Sequence, residues 1–185
     1  MRAAQYKPDA AFGIRFSPSS CAFSDAAAEV YCDAFRRGEW DEANEPAQVK
    51  RKISGILALR DSWLLEAFTA SVPSIGCALT YPLAYRDIEA RLAGSQQGYY
   101  LDELFVAPAY QRSGVGGALL LSTEELVRSM HRPFLYLRTK AQSRLEQFYR
   151  MRGYEVIAQF TPTDSPVART LFRKAVANSS QAVIS

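Results

Sequence analysis

The sequence predicts a mixed α/β fold in which helices are layered on one central sheet. Three observations carry that reading. Strand-like runs rich in aromatic and β-branched residues alternate with amphipathic helical runs, two helices come early, and the second half reads strand–helix–strand–helix–strand. A length of 185 residues suits one domain with a real core, and 48% apolar with 22% charged residues excludes disordered and collagen-like classes.

Taken in order, FGIRFS (12–17) alternates as a first strand and meets Pro18. Ser24 or Asp25 can cap a helix carrying Val30, Tyr31, Ala34 and Phe35 and stopping at Gly38. After the acidic connector GEWDEANEP, Asn44 is expected to cap a second helix with Val49, Ile53, Ile56 and Leu57 as its apolar positions. SWLLEAFTA (62–70) and SIGCALTYP (74–82) read as a hairpin turning through Val72, Pro73 and Ser74. Residues 83–93 read as a short helix with Ala84, Ile88 and Leu92 on one face, closed by Gly94. YYLDELFVA (99–107) is a strand, and a helix from Gly114 or Val115 to Met130 places Val115, Leu119, Leu126 and Met130 on a stripe. FLYLRT (134–139) is a strand, QSRLEQFYRMRG (142–153) a helix with Leu145 and Phe148 inward, and YEVIAQF and ARTLFRKA (168–175) two closing strands. NSSQAVIS reads as a loose tail.

A net charge of +3 is too mild to imply nucleic acid, and the basic clusters Arg36-Arg37 and Lys50-Arg51-Lys52 read as solvated helix faces. Cys21, Cys32 and Cys77 have neither metal-ligand spacing nor an even count for a disulfide framework. His131 is the only histidine, which disfavours a zinc site or a Ser-His-Asp triad, and it reads as a polar residue at a helix end. With no apolar leader and no apolar run of membrane-spanning length, the expectation is a cytoplasmic protein without a membrane partner.

The stretch APAYQRSGVGGALLL (107–121) places Gly114, Gly116 and Gly117 at the mouth of a helix, where glycine costs roughly 1 kcal/mol each relative to alanine. It lacks the Gly-Lys-Ser/Thr end of a phosphate-binding P-loop, and Leu119 breaks the spacing of a dinucleotide fingerprint. A tight turn with close helix–sheet packing is one reading. Anion binding by bare backbone N–H groups at a helix N-terminus is the other.

Val106, Pro108, Tyr110, Gln111, Gly114 and Gly116 fall where the acetyl-coenzyme A signature of the GNAT superfamily of N-acetyltransferases has them, so LFVAPAYQRSGVGGALLL resembles that signature. Downstream, LRTKAQSRLEQFYRMRGYE is similar to the family's closing motif, a strand and a helix ending in Tyr-x-x-x-Gly-Phe/Tyr. The resemblance spans about residues 12–175, leaving 1–11 as an extension and 176–185 as a tail. It implies a single GNAT acetyltransferase domain with a mixed, mostly antiparallel sheet of six to seven strands and about four to five flanking helices. It implies acetyl-coenzyme A as co-substrate and no metal. Gln111, Arg112, Ser113, Gly114, Val115, Gly116 and Gly117 would cradle the pyrophosphate, with the Arg112 side chain either adding its charge or facing solvent. Leu104, Phe105 and Val106 would hold the pantetheine arm and acetyl carbonyl.

The implied reaction is direct transfer of acetyl to a primary amine of a small-molecule or peptide acceptor. The alternative is a non-catalytic acyl-CoA-binding regulatory module of the same fold. A lysine-like amine has a pKa of about 10.4, so baring its lone pair at pH 7 costs roughly 4.6 kcal/mol and calls for a carboxylate. Asp102 and Glu103 precede the pantetheine segment, and strand alternation sends them to opposite faces. Asp102 is the first choice by resemblance to polyamine-type members, with Glu103 in reserve; both could instead be surface or ion-pair carboxylates. Tyr149 matches the tyrosine that in many members protonates the departing thiolate, and its competing reading is a core aromatic beside Phe148. Gln142 stands where the family often has Asn contacting coenzyme A. Glu39, Trp40, Asp41, Glu42 and Glu45, with Tyr81, Tyr85, Tyr99 and Tyr100, would wall the acceptor cleft for a cation or else line solvated loops. A homodimer is common among such folds, and one sequence does not reveal it.

Overall fold

The computed structural model describes residues 11–36, 43–95, 97–162 and 165–176. Its elements run β1 (Gly13–Pro18), α1 (Asp25–Arg36), α2 (Pro46–Leu57), β2 (Trp63–Phe68), β3 (Gly76–Pro82), α3 (Asp87–Ala93), β4 (Tyr99–Val106), α4 (Val115–Ser129), β5 (Phe134–Lys140), α5 (Arg144–Arg150), β6 (Glu155–Phe160) and β7 (Arg169–Ala175). Single 3-10 turns, Leu83–Tyr85 and Pro108–Tyr110, precede α3 and α4. The seven strands form a sheet in the order β1-β2-β3-β4-β5-β7-β6. β1/β2, β5/β7 and β6/β7 are antiparallel, whereas β4 and β5 are parallel over Tyr99–Leu101 and Leu135–Leu137. The predicted mixed α/β class, with a mostly antiparallel sheet, is what the chain adopts.

The described chain falls into two compact units, one drawing on 11–79 and 103–122, the other on 80–102 and 123–176. In the first, the Ser24 hydroxyl accepts the Ala27 N–H at 3.1 Å, so Ser24 is the cap of α1. The helix then buries Ala27, Ala28, Tyr31 and Cys32 at helical spacing. The second helix is capped by Glu45 rather than Asn44, and the cause is local. Pro46 takes the first helical position and forces the residue before it into extended backbone, seen as φ −94° and ψ 133° at Glu45. Val49, Ile53 and Leu57 face Leu64, Cys77, Leu79 and Phe105 in one cluster, with Ile56 partly buried beside it. Burial of each large side chain there contributes about 1.5–3 kcal/mol.

The second unit is organised on the β5/β7 ladder, which runs from Phe134 opposite Ala175 to Lys140 opposite Arg169. Its α3 corrects the expected face. Ile88 and Leu92 are 37% and 39% exposed, whereas Glu89 and Ala90 are buried. Ion pairs hold this helix down: Glu89 Oε1 accepts from Arg86 at 2.6 Å and Arg138 at 2.8 Å. Gly94 closes α3 with φ 62°, as expected of a left-handed cap. Along α4 the buried positions are Val115, Leu119, Leu120, Thr123, Glu124 and Val127; Leu126 and Met130 are only half-buried. The α5 helix is shorter than 142–153, and its fully buried residue is Tyr149 rather than Leu145 or Phe148. Among the described residues no helix is long and apolar enough to cross a membrane. The expected stop at Gly38, most of the extension 1–11 and nearly all of the tail 176–185 lie outside the described residues.

Candidate active site

The glycine turn is built by the end of β4 and the start of α4. The Ala107 N–H donates to the Ile75 carbonyl at 2.9 Å, the last strand-like tie before the Pro108–Tyr110 turn. Gln111 then reaches back, its side-chain Nε2 donating to the Val106 carbonyl at 3.1 Å, and Ser113 Oγ donates to the Tyr110 carbonyl at 2.6 Å. These bonds hold the loop in place. Arg112 and Gly114 both have positive φ, 62° and 93°, flanking Ser113. For Arg112 that backbone costs on the order of 1 kcal/mol; its side chain is exposed.

Helix α4 donates its first internal bond from the Ala118 N–H to the Gly114 carbonyl at 2.9 Å. The N–H groups of Val115, Gly116 and Gly117 therefore have no acceptor inside the helix. A Cβ placed on Gly116 would meet only the Val106 Cγ2, at 3.5 Å, and one on Gly114 would meet nothing within 4 Å. Packing does not require glycine at 116; open space lies over the backbone there. That cradle fits a diphosphate, which bare amides and the positive end of a helix both favour.

Glu103 belongs to the same unit. Its carboxylate, 9% exposed, accepts from Lys52 Nζ at 2.5 Å and from the Tyr31 hydroxyl at 3.4 Å. Lys52 also donates to the Tyr31 hydroxyl at 3.1 Å. Burial works against the Lys52 ammonium, but the Glu103 charge, Tyr31 and the hydrogen bonds to both together outweigh it and hold the Lys52 pKa above the ordinary lysine range. Lys52, although half-exposed, thus reaches from the basic helix face to a buried carboxylate, whereas Lys50 pairs with exposed Asp25 at 2.7 Å. Leu104 and Val106 are half-buried, and Phe105 is buried edge-on against Tyr31 with ring centroids 5.1 Å apart.

Asp102 lies in the second unit with different company. Arg86 Nη1 is 4.0 Å from its Oδ1, and the side chain is 13% exposed. Burial first, and the Asp102 charge second, push the Tyr81 hydroxyl above the ordinary tyrosine range. The Arg86 guanidinium lies over the Tyr100 ring at 5.0 Å. The two adjacent carboxylates therefore reach separate partners, as alternation predicts.

Tyr149 is 6% exposed, with its ring edge-on to Phe148 and Tyr154 at 5.2 and 5.6 Å. Burial pushes its hydroxyl above the ordinary tyrosine range, eased by the charge of Arg152. It is a buried aromatic, and it also retains its proton at neutral pH. Gln142, at φ 59°, is exposed one residue before the Ser143 cap of α5.

The aromatic wall is largely core: Tyr81, Tyr99 and Tyr100 are buried and only Tyr85 is exposed. Glu45 is the α2 cap, while Glu39, Trp40, Asp41 and Glu42 lie outside the described residues. Sequence reasoning missed the partners of the carboxylates, Lys52 and Tyr31 for Glu103 and Arg86 for Asp102. Lys52 offered one signal, since it precedes the core residue Ile53 and so borders the buried face of α2. Among the described residues no cluster of three or more His, Cys, Asp or Glu could hold a metal ion.

Residues 83–163 match the family model of the acetyltransferase (GNAT) domain. No curated protein sequence matches the chain at a significant level. Among solved structures, a GNAT-family protein from Desulfovibrio desulfuricans superposes with TM-score 0.67 at 20% identity, covering 90% of this chain and 100% of that one. The PaiA N-acetyltransferase of Thermoplasma acidophilum, solved with coenzyme A, gives 0.62 at 18%, covering 89% and 99%. YncA of Salmonella typhimurium, solved with acetyl-CoA, gives 0.60 at 17%, covering 89% and 94%. At these identities the structural likeness speaks for the fold, and the family match makes residues 83–163, which take in the glycine turn and the closing motif, similar to the acetyltransferase (GNAT) domain.

Proposed function

We propose that this chain is an N-acetyltransferase that moves the acetyl group of acetyl-CoA directly to a primary amine of a small-molecule or peptide acceptor. The observation that carries the reading is the cradle at the start of α4, with Gly114 at φ 93° and a Gly116 whose missing side chain nothing in the protein requires. Gln111 to Gly117 hold the pyrophosphate through their backbone, and Leu104 to Val106 hold the pantetheine arm. Gln142, exposed before α5, makes the longer-reaching counterpart of the family's Asn contact. When bound, acetyl-CoA supplies an activated acetyl thioester.

The chain's own residues then divide the work. Asp102 takes the proton of the incoming ammonium, directly or through water. It is preferred to Glu103 because the Lys52 ammonium already neutralises Glu103 at 2.5 Å, whereas Arg86 stands 4.0 Å from Asp102. The Val106 N–H donates to the acetyl oxygen as negative charge develops there, an effect worth a few kcal/mol in comparable sites. Tyr149 gives its proton to the departing sulfur, whose acid has a pKa of about 8.5 against about 10 or more for the phenol. Burial keeps that phenol protonated until the thiolate needs it.

The test is thiol release from acetyl-CoA with spermidine, kanamycin and a lysine-bearing peptide as acceptors, alongside calorimetric titration with coenzyme A. Saturable binding with turnover that collapses in Tyr149→Phe and Asp102→Asn supports the reading. Binding without turnover on any amine favours a regulatory acyl-CoA-binding module, and absence of binding rejects both.

A further inference from the structure

Glu124, Tyr154 and Lys174 form a closed network inside the second unit that the reaction above does not use. The Tyr154 hydroxyl donates to Glu124 Oε1 at 3.0 Å, and Lys174 Nζ donates to Glu124 Oε2 at 2.6 Å. The Lys174 ammonium also stands over the Tyr154 ring, 5.4 Å from its centroid. Tyr154 is 3% exposed and the Glu124 side chain 5%. Each oxygen of a carboxylate placed in the middle of α4 is thus spoken for.

Stability does not account for this arrangement. A buried ion pair is about as stable as well-packed apolar groups of the same volume, and often less so. Phenylalanine at 154 together with an apolar residue at 124 would fill the same space and leave no buried carboxylate to satisfy. What the hydroxyl adds is orientation, because a ring tied at its far end to a fixed carboxylate cannot swing.

That ring is the wall against which Tyr149 rests. The two centroids are 5.6 Å apart at 67°, and Phe172 closes another side at 5.9 Å. The backbone links them as well, since the Tyr154 N–H donates to the Tyr149 carbonyl at 3.2 Å across the turn made by Gly153 at φ 79°. We propose that Glu124, Tyr154 and Lys174 are positioning residues that fix the ring of Tyr149 for proton delivery to the departing sulfur. The inference rests on Tyr149 being the proton donor.

The test uses the full-length protein with ring-labelled tyrosine, compared as wild type, Tyr154→Phe, Glu124→Gln and Tyr149→Phe. Releasing one hydrogen bond from the flipping barrier, about 1.4 kcal/mol, should speed the Tyr149 ring flip seen by NMR about tenfold in Tyr154→Phe and Glu124→Gln. In the thiol-release assay, with the acceptor of the panel that turns over fastest, kcat should fall about tenfold while the KM for acetyl-CoA stays put. Near-ultraviolet circular dichroism checks that each variant is folded; should Glu124→Gln not fold, Tyr154→Phe, which loses a single hydroxyl, decides. Unchanged ring flipping and unchanged kcat overturn the inference. Wild-type kcat in Tyr149→Phe would instead overturn the donor assignment, so the two failures are distinguishable.

Discussion

Replacing Gly116 with alanine should make the protein more stable and a poorer binder at the same time. The added Cβ meets only Val106 Cγ2, at 3.5 Å, which is ordinary van der Waals contact. No strain offsets the gain in helix propensity, about 0.5–1 kcal/mol near the start of a helix. The same methyl occupies the space over the first-turn amides. Losing one charge-assisted hydrogen bond to a phosphate costs about 1.5–3 kcal/mol, so the Kd for coenzyme A should rise roughly ten- to a hundredfold. Gly114→Ala separates the two effects differently. Its φ of 93° strains any side chain even though nothing lies within 4 Å, so this variant should lose stability by about 1–2 kcal/mol and lose affinity as well. Urea unfolding and calorimetric titration of the two variants read both quantities. A Gly116→Ala protein that gains stability and binds coenzyme A as tightly as wild type would refute the idea that these amides hold the pyrophosphate.

Other outcomes follow from the same geometry. Tyr149→Phe should lower kcat about 10²- to 10⁴-fold with the calorimetric Kd for coenzyme A unchanged. Asp102→Asn should slow thiol release far more than Glu103→Gln at saturating acetyl-CoA; the reverse order would transfer the base role to Glu103. Glu89→Gln leaves Arg86 and Arg138 facing a neutral group and should cost about 3 kcal/mol at neutral pH by chemical denaturation. Although burial opposes its charge, the two arginines hold the Glu89 carboxyl below its usual value of 4.5. Its contribution is present above that value and lost as pH falls through the depressed one, so the unfolding curves of wild type and variant should converge in acid. Gly76→Ala would press a Cβ to 2.7 Å from the Phe105 carbonyl oxygen and should destabilise β3 and the end of β4, read as a lower Tm.

The parts legible in the sequence are those that local backbone chemistry dictates. Ser24 at a helix start, Gly94 and Gly153 at helix ends and Pro108 after β4 each have one dominant conformational use, and each does that work here. The helix faces were less legible where charge replaced apolar surface. Nothing in Ala84, Ile88 and Leu92 announces that Glu89 would be drawn inward by two arginines, one of them on β5, distant in sequence. The α2 cap was misread for a simpler reason, since Asn is a strong capping residue and Pro46 overrides it by position alone. The pairing of Lys52 with Glu103 spans 51 residues, and no local pattern encodes such a contact.

The same division separates the proposed grip on a diphosphate from the proposed catalysis. A diphosphate is gripped by main-chain amides, and the sequence reveals where the main chain is bare, because only glycine leaves it so. Proton transfer depends on which carboxylate keeps a usable lone pair, and that is set by whatever cation lies nearest in space. Asp102 and Glu103 are adjacent and chemically near-equivalent, yet one carboxylate meets an ammonium at 2.5 Å and the other a guanidinium at 4.0 Å. Coulomb attraction scales inversely with distance, and only the closer contact is a hydrogen bond. Removing the Lys52 charge should therefore change what Glu103 can do and leave Asp102 alone, so in the proposed reaction the choice of base rests on α2 as much as on β4.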